Sequence, residues 1–230
     1  MPRERVELES AWLLAFRPYR ETSALLEVLT AEHGRIGLVA RGARGQRSRL
    51  RGLLQPFQPL LLSWLSSGDL GTLTGAEGNG VALQLTGERV FSGWYVNELV
   101  TSLVLRHDPQ SELFGVYGET LRVLATADAH PGAALRAFEV VLLQALGYGL
   151  PLADEYDPAR RYTWDPEQGT QPCPDDEGFS GAALIALRDG HYDDAATRRE
   201  VRKLLRDAID RQLGGRELKS RRLLRAVRAR

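Results

Sequence analysis

The amino-acid sequence predicts an α+β fold, in which a small five-stranded barrel is followed by a mainly α-helical domain. Short strand-like runs fill residues 11–76, and the spacing of apolar residues changes to a helical period near residue 88. Prolines and acids then interrupt the helical pattern over residues 149–178, which indicates a loop or a short hairpin there, with residues 161–164 as a candidate strand. We therefore expect two domains, residues 1–80 and residues 81–230.

Five apolar runs separated by turn residues make up the predicted barrel. The runs cover residues 11–16, 24–30, 36–40, 59–65 and 72–76. A hairpin turn containing Gly34 joins the second run to the third, and one long connection separates the third from the fourth. Strands at this spacing are typical of an OB-fold barrel, and a short SH3-like barrel is the main alternative.

Helical spacing marks the rest of the chain outside the loop region. Helices are predicted from about residue 88 and over residues 111–127, 132–146 and 181–187. Ser111 is the predicted N-cap of the second of these helices. Thr197 and Glu200 form a capping-box pattern before a further apolar helix face.

The long connection in the barrel is the most cationic part of the chain. Residues 33–56 contain no Asp or Glu, and their six arginines are Arg35, Arg41, Arg44, Arg47, Arg49 and Arg51. Arginine presents a planar set of donors that suits phosphate oxygens. Residues 41–51, here called the basic loop, therefore predict a contact with a polyanion, and nucleic acid is the obvious one. The alternative is a solvated loop whose arginines reflect codon bias.

An aromatic side chain of the predicted barrel is a second candidate contact. Tyr19 lies in the turn after the first predicted strand, and it is the barrel aromatic that we expect to be exposed. Barrels that bind single strands stack bases on such rings. Core packing is the competing interpretation of Tyr19, as it is for each aromatic residue of the barrel.

A formal net charge of zero conceals a strong segregation of charge along the chain. Residues 198–230 carry thirteen Lys and Arg against four Asp and Glu, whereas residues 76–197 carry seven Arg against nineteen acids. Charge asymmetry of this kind gives information about binding partners and not about the fold. Candidate phosphate contacts in the basic C-terminal segment are Lys219, Arg221 and Arg222, with a solvated helix face as the alternative.

The sequence offers no recognisable catalytic motif. It has no Gly-Lys-Ser/Thr phosphate loop, no complete dinucleotide fingerprint, no nucleophile elbow and no zinc-protease motif. The single cysteine, Cys173, excludes an intrachain disulfide, and no apolar run is long enough to span a bilayer. We therefore expect a soluble, cytoplasmic binding protein that is not an enzyme.

Stretches along nearly the whole chain match one known family in the expected order. They lie at residues 17–44, 53–62, 95–100, 112–114, 135–149 and 213–224. On these stretches the chain resembles the RecO family of bacterial DNA repair and recombination-mediator proteins. The resemblance implies an OB-fold before a helical domain, binding to single- and double-stranded DNA, and annealing of complementary strands without ATP. It also implies a nucleoid-associated protein that partners RecR and the single-strand binding protein (SSB) and helps to load RecA.

The chain departs from many family members at one point. Those proteins carry a four-cysteine zinc knuckle after the segment that ends at Gly149, whereas residues 152–178 supply only Cys173 here. The chain looks like the branch that lacks the metal, so we expect no zinc and no other cofactor.

In that branch the acidic C-terminal tail of SSB docks on the helical domain. Its receptor needs an apolar pocket with a cation beside it. The resemblance assigns the carboxylate contact first to Arg136 and then to Arg122. The candidate pocket walls are Leu135, Phe138, Val140 and Leu142. Alternatively, Arg136 pairs on the surface with Glu139 or Glu119.

Two other functions compete with a DNA-annealing mediator. An adaptor would use its basic ends to bind acidic tails such as that of SSB without touching DNA. A nuclease would need clustered carboxylates to hold metal ions, and the basic loop has none.

Overall fold

The computed structural model describes residues 4–66, 68–165, 167–174, 177–192 and 194–229. The chain divides into two compact units, the first made of residues 1–127 and 217–230 and the second of residues 128–216. The first unit is thus discontinuous in sequence, because the second is inserted into it. The expected domain boundary near residue 80 falls inside the first unit, where its strands give way to helices.

The first five strands form a closed barrel in the order β1-β2-β3-β5-β4. Their bounds are β1 (Glu4–Tyr19), β2 (Ser23–Thr30), β3 (Arg35–Ala40), β4 (Pro59–Ser66) and β5 (Leu70–Gly78). Neighbouring strands are antiparallel except β3 and β5, which run parallel. This arrangement confirms the predicted five-stranded barrel of the OB type.

Alternation along the strands builds the barrel core. Leu60, Leu62 and Trp64 of β4 are buried, while Leu61 and Ser63 between them are only partly so. Successive side chains of a strand point to opposite faces, so the apolar set that alternates in the sequence meets inside the barrel. Leu26 and Val28 of β2 and Leu38 of β3 belong to the same buried core.

β1 is longer than the sequence predicts, because it begins at Glu4 and not at residue 11. Its first residues pair with the end of β4, as Arg5 opposite Leu65 and Val6 opposite Trp64 show. The segment before residue 11 is mostly polar and exposed, so its hydropathy gives no strand signal. Backbone pairing with β4 extends the strand there.

In the described part of the first unit, α1 (Leu50–Leu53) lies between β3 and β4, and α2 (Glu88–Leu103) and α3 (Ser111–Ala125) follow the barrel. The predicted N-cap at Ser111 is wrong, because Ser111 is the first helical residue and Gln110 precedes it as the cap. Helix α2 is fixed to the barrel by Asn97, whose Nδ2 donates to the carbonyl of Leu14 at 3.0 Å. The Tyr117 hydroxyl of α3 donates to Asn97 Oδ1 at 2.6 Å. One buried amide therefore connects a strand with two helices.

The second unit combines three helices with a small sheet. Its elements are α4 (Pro131–Ala145), β6 (Arg161–Asp165), β7 (Gly169–Cys173), β8 (Phe179–Ser180), α5 (Gly181–Asp189) and α6 (Ala195–Gln212). The strands lie in the order β7-β6-β8, so the region predicted as a loop or short hairpin contains a hairpin.

Helix α6 begins earlier than the capping-box pattern predicts. Asp194 is its N-cap and accepts hydrogen bonds from the amides of Ala196 and Thr197 at 2.8 and 2.9 Å. The prediction of a cap at Thr197 is therefore wrong. Glu200 instead accepts a hydrogen bond from the Ser180 amide, at 2.6 Å, and so holds α6 against the start of α5.

After the second unit the chain returns to the first as α7 (Lys219–Arg228), which packs on α2. Leu218, just before α7, is almost fully buried. The helices of the described part of the chain include none that is long and apolar enough to cross a membrane.

Candidate nucleic-acid interface

The basic loop leaves the barrel at the end of β3 and is anchored close to its start. Ala43 is fully buried in the barrel core, and Gly42 beside it has a φ of +68° that a side chain would strain. On the far side, α1 and the buried Leu54 fix the return toward β4. The loop is therefore held at both ends, and its middle faces solvent.

Five arginines of the loop and α1 are exposed: Arg41, Arg44, Arg47, Arg49 and Arg51. Among the described residues, no carboxylate forms a salt bridge with any of these five. The structure thus brings together an uncompensated cationic surface, which is the electrostatic arrangement that a polyphosphate backbone suits.

Arg44 differs from the other four because it bonds to the turn between β1 and β2. Its amide donates to the carbonyl of Thr22 at 2.8 Å, and its Nη1 lies 3.1 and 3.3 Å from the carbonyl oxygens of Arg20 and Glu21. The basic loop and this turn therefore form one surface. The turn between β1 and β2 is one of the loops with which OB-folds commonly contact oligonucleotides, and the basic loop lies against it.

The turn supplies a cation that sequence reasoning missed. The guanidinium of Arg20 lies over the ring of Tyr19, with its central carbon 5.2 Å from the ring centroid. Arg20 is exposed, whereas Tyr19 is partly buried beneath it, so the expectation that Tyr19 is the exposed aromatic of the barrel is wrong. Phe16 is exposed instead. The two arginines that flank Pro18 and Tyr19 in the sequence were a usable signal, although the stacking itself depends on the turn geometry.

Arg35 is set apart from the exposed arginines. Its Nη1 pairs with Glu27 Oε2 at 3.0 Å, and its Nε donates to the carbonyl of Val104 at 2.9 Å. Burial lowers the pKa of the Arg35 guanidinium, while Glu27 opposes that shift. Arg106 also pairs with Glu27. Arg35 thus fastens the end of α2 to the barrel, and the DNA contact suggested for it stays a prediction.

The predicted C-terminal contacts lie on α7. Lys219 and Arg222 are exposed, whereas Arg221 is partly buried with its guanidinium 5.2 Å from the ring centroid of Tyr95. Glu98 of α2 accepts hydrogen bonds from the amides of Lys219 and Ser220 at 2.8 and 2.9 Å. A protein carboxylate already occupies this helix N-terminus, so only the side chains of α7 remain to meet an external anion.

In the second unit, Arg136 forms a salt bridge to Glu139 Oε1 at 2.7 Å. The two side chains are only 12% and 3% exposed, so the pairing with Glu139 considered above exists inside the unit and not on its surface. Burial raises the pKa of Tyr192, which lies close enough for Arg136 to oppose that shift and Glu139 to add to it. Sequence reasoning missed Tyr192 because it lies far along the chain.

The candidate pocket walls divide into two kinds. Phe138 and Leu142 are fully buried, while Leu135 and Val140 are partly exposed on α4. Arg122 belongs to the first unit, where it is exposed on α3 and pairs with Glu119 at 3.2 Å.

The hairpin of β6 and β7 holds Cys173, whose thiol lies 3.5 Å from the carbonyl oxygen of Glu177. Across the residues that the structure describes, His, Cys, Asp and Glu side chains form no group of three that could hold a metal ion.

Two family models match the chain on either side of the end of the barrel. Recombination protein O N terminal matches residues 6–80, and Recombination protein O C terminal matches residues 84–222. The first match covers the barrel with its basic loop, and the second covers the helices that follow.

Curated proteins named DNA repair protein RecO align with nearly the full chain. The one from Methylococcus capsulatus is 44% identical over 229 residues, covering 96% of this chain and 94% of that protein. The one from Nitrosococcus oceani is 46% identical over 234 residues, with 97% and 95% covered. The one from Coxiella burnetii is 41% identical over 230 residues, with 96% and 99% covered.

Proposed function

Because this chain belongs to the RecO family of DNA repair proteins, we propose that it binds single- and double-stranded DNA and anneals complementary strands without ATP. Family membership supports the role in DNA repair and recombination, and the exposed arginines of the basic loop support the DNA contact. The single observation that carries the proposal is that no described carboxylate pairs with these arginines.

The proposed mechanism is electrostatic. Two complementary strands repel each other through their phosphates, and arginines that neutralise phosphates on both strands lower this repulsion as the bases meet. The exposed guanidinium of Arg20, which lies over the partly buried ring of Tyr19, can stack on an unpaired base. Annealing of this kind breaks no covalent bond, so the proposal includes no catalytic step.

A salt titration tests the DNA contact. The variant Arg41→Ala/Arg47→Ala/Arg49→Ala should bind single-stranded DNA more weakly, and its log–log salt slope should be flatter by about 2, at roughly 0.7 per lost contact. The matched control removes three arginines of α6 in the second unit, as Arg199→Ala/Arg202→Ala/Arg206→Ala, and so changes the net charge equally. An equal loss of slope in both variants would show that overall charge and not the loop governs binding.

We further propose that Arg136 and the apolar residues of α4 receive the acidic C-terminal tail of SSB, while the role expected for Arg122, which lies in the first unit, stays a prediction. The proposal is supported by the cation beside partly exposed Leu135 and Val140. Glu139 already neutralises Arg136, so the carboxylate of the tail must compete with Glu139 for the guanidinium.

Peptide binding tests the tail site. Arg136→Ala should weaken binding of an SSB tail peptide, while its unfolding midpoint is measured alongside to separate lost contact from lost fold. Arg206→Ala, an exposed arginine on α6, is the control. Full affinity in the folded Arg136→Ala protein removes the assignment. Peptide binding without any DNA binding would favour the adaptor function instead.

Partnership with RecR, assistance in loading RecA onto SSB-coated DNA, and a cytoplasmic location at the nucleoid complete the proposed function. They are supported by family membership alone. An annealing assay with and without SSB, repeated across salt concentrations, measures the combined activity. A protein that anneals bare strands but fails on SSB-coated strands would contradict the mediator role.

A further inference from the structure

We propose that Arg44 is a positioning residue, which holds the basic loop against the turn between β1 and β2. Arg20 of that turn, and not Arg44, is then the cation that contacts DNA at this point of the surface. This inference rests on the proposed DNA contact at the basic loop and assigns roles within it. Among the exposed arginines of the loop, Arg44 therefore affects DNA affinity indirectly, by holding other residues in position.

Arg44 bonds the basic loop to the turn between β1 and β2, and this set of hydrogen bonds is here called the clamp. Its main-chain amide and its side chain both bond to consecutive residues of one turn, at the carbonyls of Thr22, Arg20 and Glu21. A single nitrogen, Nη1, reaches two of these carbonyls. Ala43, the preceding residue, is fully buried in the barrel core. Adjacent residues thus attach the loop to the core and to the turn.

The turn that Arg44 holds has an unfavourable backbone. Arg20 has a φ of +52°, in the left-handed region that residues with a side chain rarely adopt. Such a conformation persists only where its surroundings fix it. The described partners of this residue are Arg44, which bonds to its carbonyl, and the ring of Tyr19, which lies under its guanidinium.

The donors of the two arginines are used differently. A bidentate contact with phosphate needs two parallel N–H groups of one guanidinium. Arg44 directs Nη1 to backbone carbonyls, which leaves it fewer donors for a phosphate. Arg20 is exposed, and its guanidinium is held over the ring of Tyr19, with no described hydrogen bond that uses its donors. The pair is therefore preorganised for phosphate or an unpaired base.

Hydrogen exchange in the free protein tests the clamp directly. Arg44→Ala should speed exchange at the amides of Gly45, Ser48 and Arg51, which bond to carbonyls within the loop. Arg47→Ala, which removes an equal charge from the same loop, should leave these rates unchanged. Arg44→Lys should restore slow exchange, because one ammonium nitrogen can donate to both carbonyls. Unchanged exchange in Arg44→Ala overturns the proposal.

A double-mutant cycle on DNA binding tests whether Arg44 acts through Arg20. Arg44→Ala should weaken binding of a single-stranded oligonucleotide, and this loss should shrink by at least about threefold in an Arg20→Ala background. Arg47→Ala should weaken binding by the same factor in both backgrounds. Losses at Arg44 and Arg20 that multiply independently would show that Arg44 contacts DNA by itself and would overturn the positioning role.

The two measurements separate this inference from the proposed function. If Arg41→Ala and Arg47→Ala leave DNA affinity unchanged, the loop is not the DNA site and the assignment of Arg20 falls with it. Faster exchange in Arg44→Ala would then still establish the clamp, because that measurement contains no DNA. If exchange stays slow in Arg44→Ala while Arg47→Ala weakens DNA binding as expected, the clamp is refuted and the proposed DNA contact stands.

Discussion

At the scale of single residues, Asn97 connects three elements of the first unit. Its side-chain amide donates to the Leu14 carbonyl of β1 and accepts from the Tyr117 hydroxyl of α3. The side chains of Asn97 and Tyr117 are both buried. Buried polar groups are costly when a partner is removed, because the remaining group stays away from water. The alignment of α2 and α3 on the barrel therefore depends on a small polar network.

Removing the Tyr117 hydroxyl tests this network. Tyr117→Phe leaves Asn97 Oδ1 without its donor, so the free energy of unfolding should fall by about 1–3 kcal/mol, as measured by urea denaturation. Tyr148→Phe is the control, because Tyr148 is 52% exposed. A loss no larger than that of the control would mean that the hydroxyl does not stabilise the fold.

The same hydroxyl predicts a dependence on alkaline pH. Burial raises the pKa of Tyr117 above its ordinary value, so the native protein keeps this proton more tightly than the unfolded chain. The resulting stability is complete below about pH 10 and is lost as the pH rises further. The unfolding free energy of the wild type should thus fall more steeply above that pH than that of Tyr117→Phe. Parallel pH profiles would contradict this.

Glu139 carries a prediction for the second unit. Glu139→Ala leaves the Arg136 charge in a setting where its side chain is 12% exposed, and it should lower the free energy of unfolding by about 3–5 kcal/mol. Glu119→Ala breaks the exposed pair with Arg122 and should cost less than about 1 kcal/mol. Similar losses at both sites would show that the buried pair contributes no more to the free energy of unfolding than the exposed pair does.

At the scale of elements, α7 depends on a carboxylate from another helix. Glu98 accepts from the Lys219 and Ser220 amides and from the Ser220 hydroxyl, the last at 2.7 Å, whereas Leu218 at the N-cap offers no side-chain acceptor. Glu98→Ala should therefore lower stability by about 1–2 kcal/mol and speed exchange at these two amides. Glu77→Ala, at an exposed position in β5, is the control. Slow exchange in Glu98→Ala would mean that packing alone holds α7.

The elements that sequence patterns predict well are those in which burial follows a simple period. Strand β4 and the first half of β5 show it by alternation, and so do the helices around Leu121 and Phe138. The first part of β1 was missed because its residues are polar and its pairing with β4 is a long-range property. The start of α6 was misplaced because Asp194 and Thr197 both suit a cap, and only the backbone decides between them.

The candidate interface was predictable to a similar extent. An acid-free run of arginines was visible in the sequence, and the structure shows five of the six exposed. The internal bonds of Arg35 to Val104, and those of Arg44 to residues 20–21, join segments distant in the chain. Sequence spacing carries no information about such partners. The spacing of Arg136 and Glu139 suggested their pairing, but not its burial.

At the scale of the whole molecule, the return of the chain to the first unit predicts the effect of a truncation. Deleting residues 217–230 removes α7 and the buried Leu218 from the face of α2, so the first unit should unfold at lower urea concentration. DNA affinity should also fall. Lys219→Ala/Arg222→Ala should reduce DNA affinity with little change in unfolding, since both side chains are exposed. A truncated protein of full stability would show that α7 is not an integral part of the unit.

Because the second unit is inserted into the first, the first unit is completed only at the end of synthesis. A ribosome completes the barrel, α2 and α3 first, and then must synthesise all of residues 128–216 before α7 is available. Throughout that interval α2 lacks the helix that covers it, and Glu98 lacks the amides that it caps. Nascent chains therefore expose the face of α2 that α7 covers in the finished protein, and surface that is exposed in this way during translation is prone to aggregation.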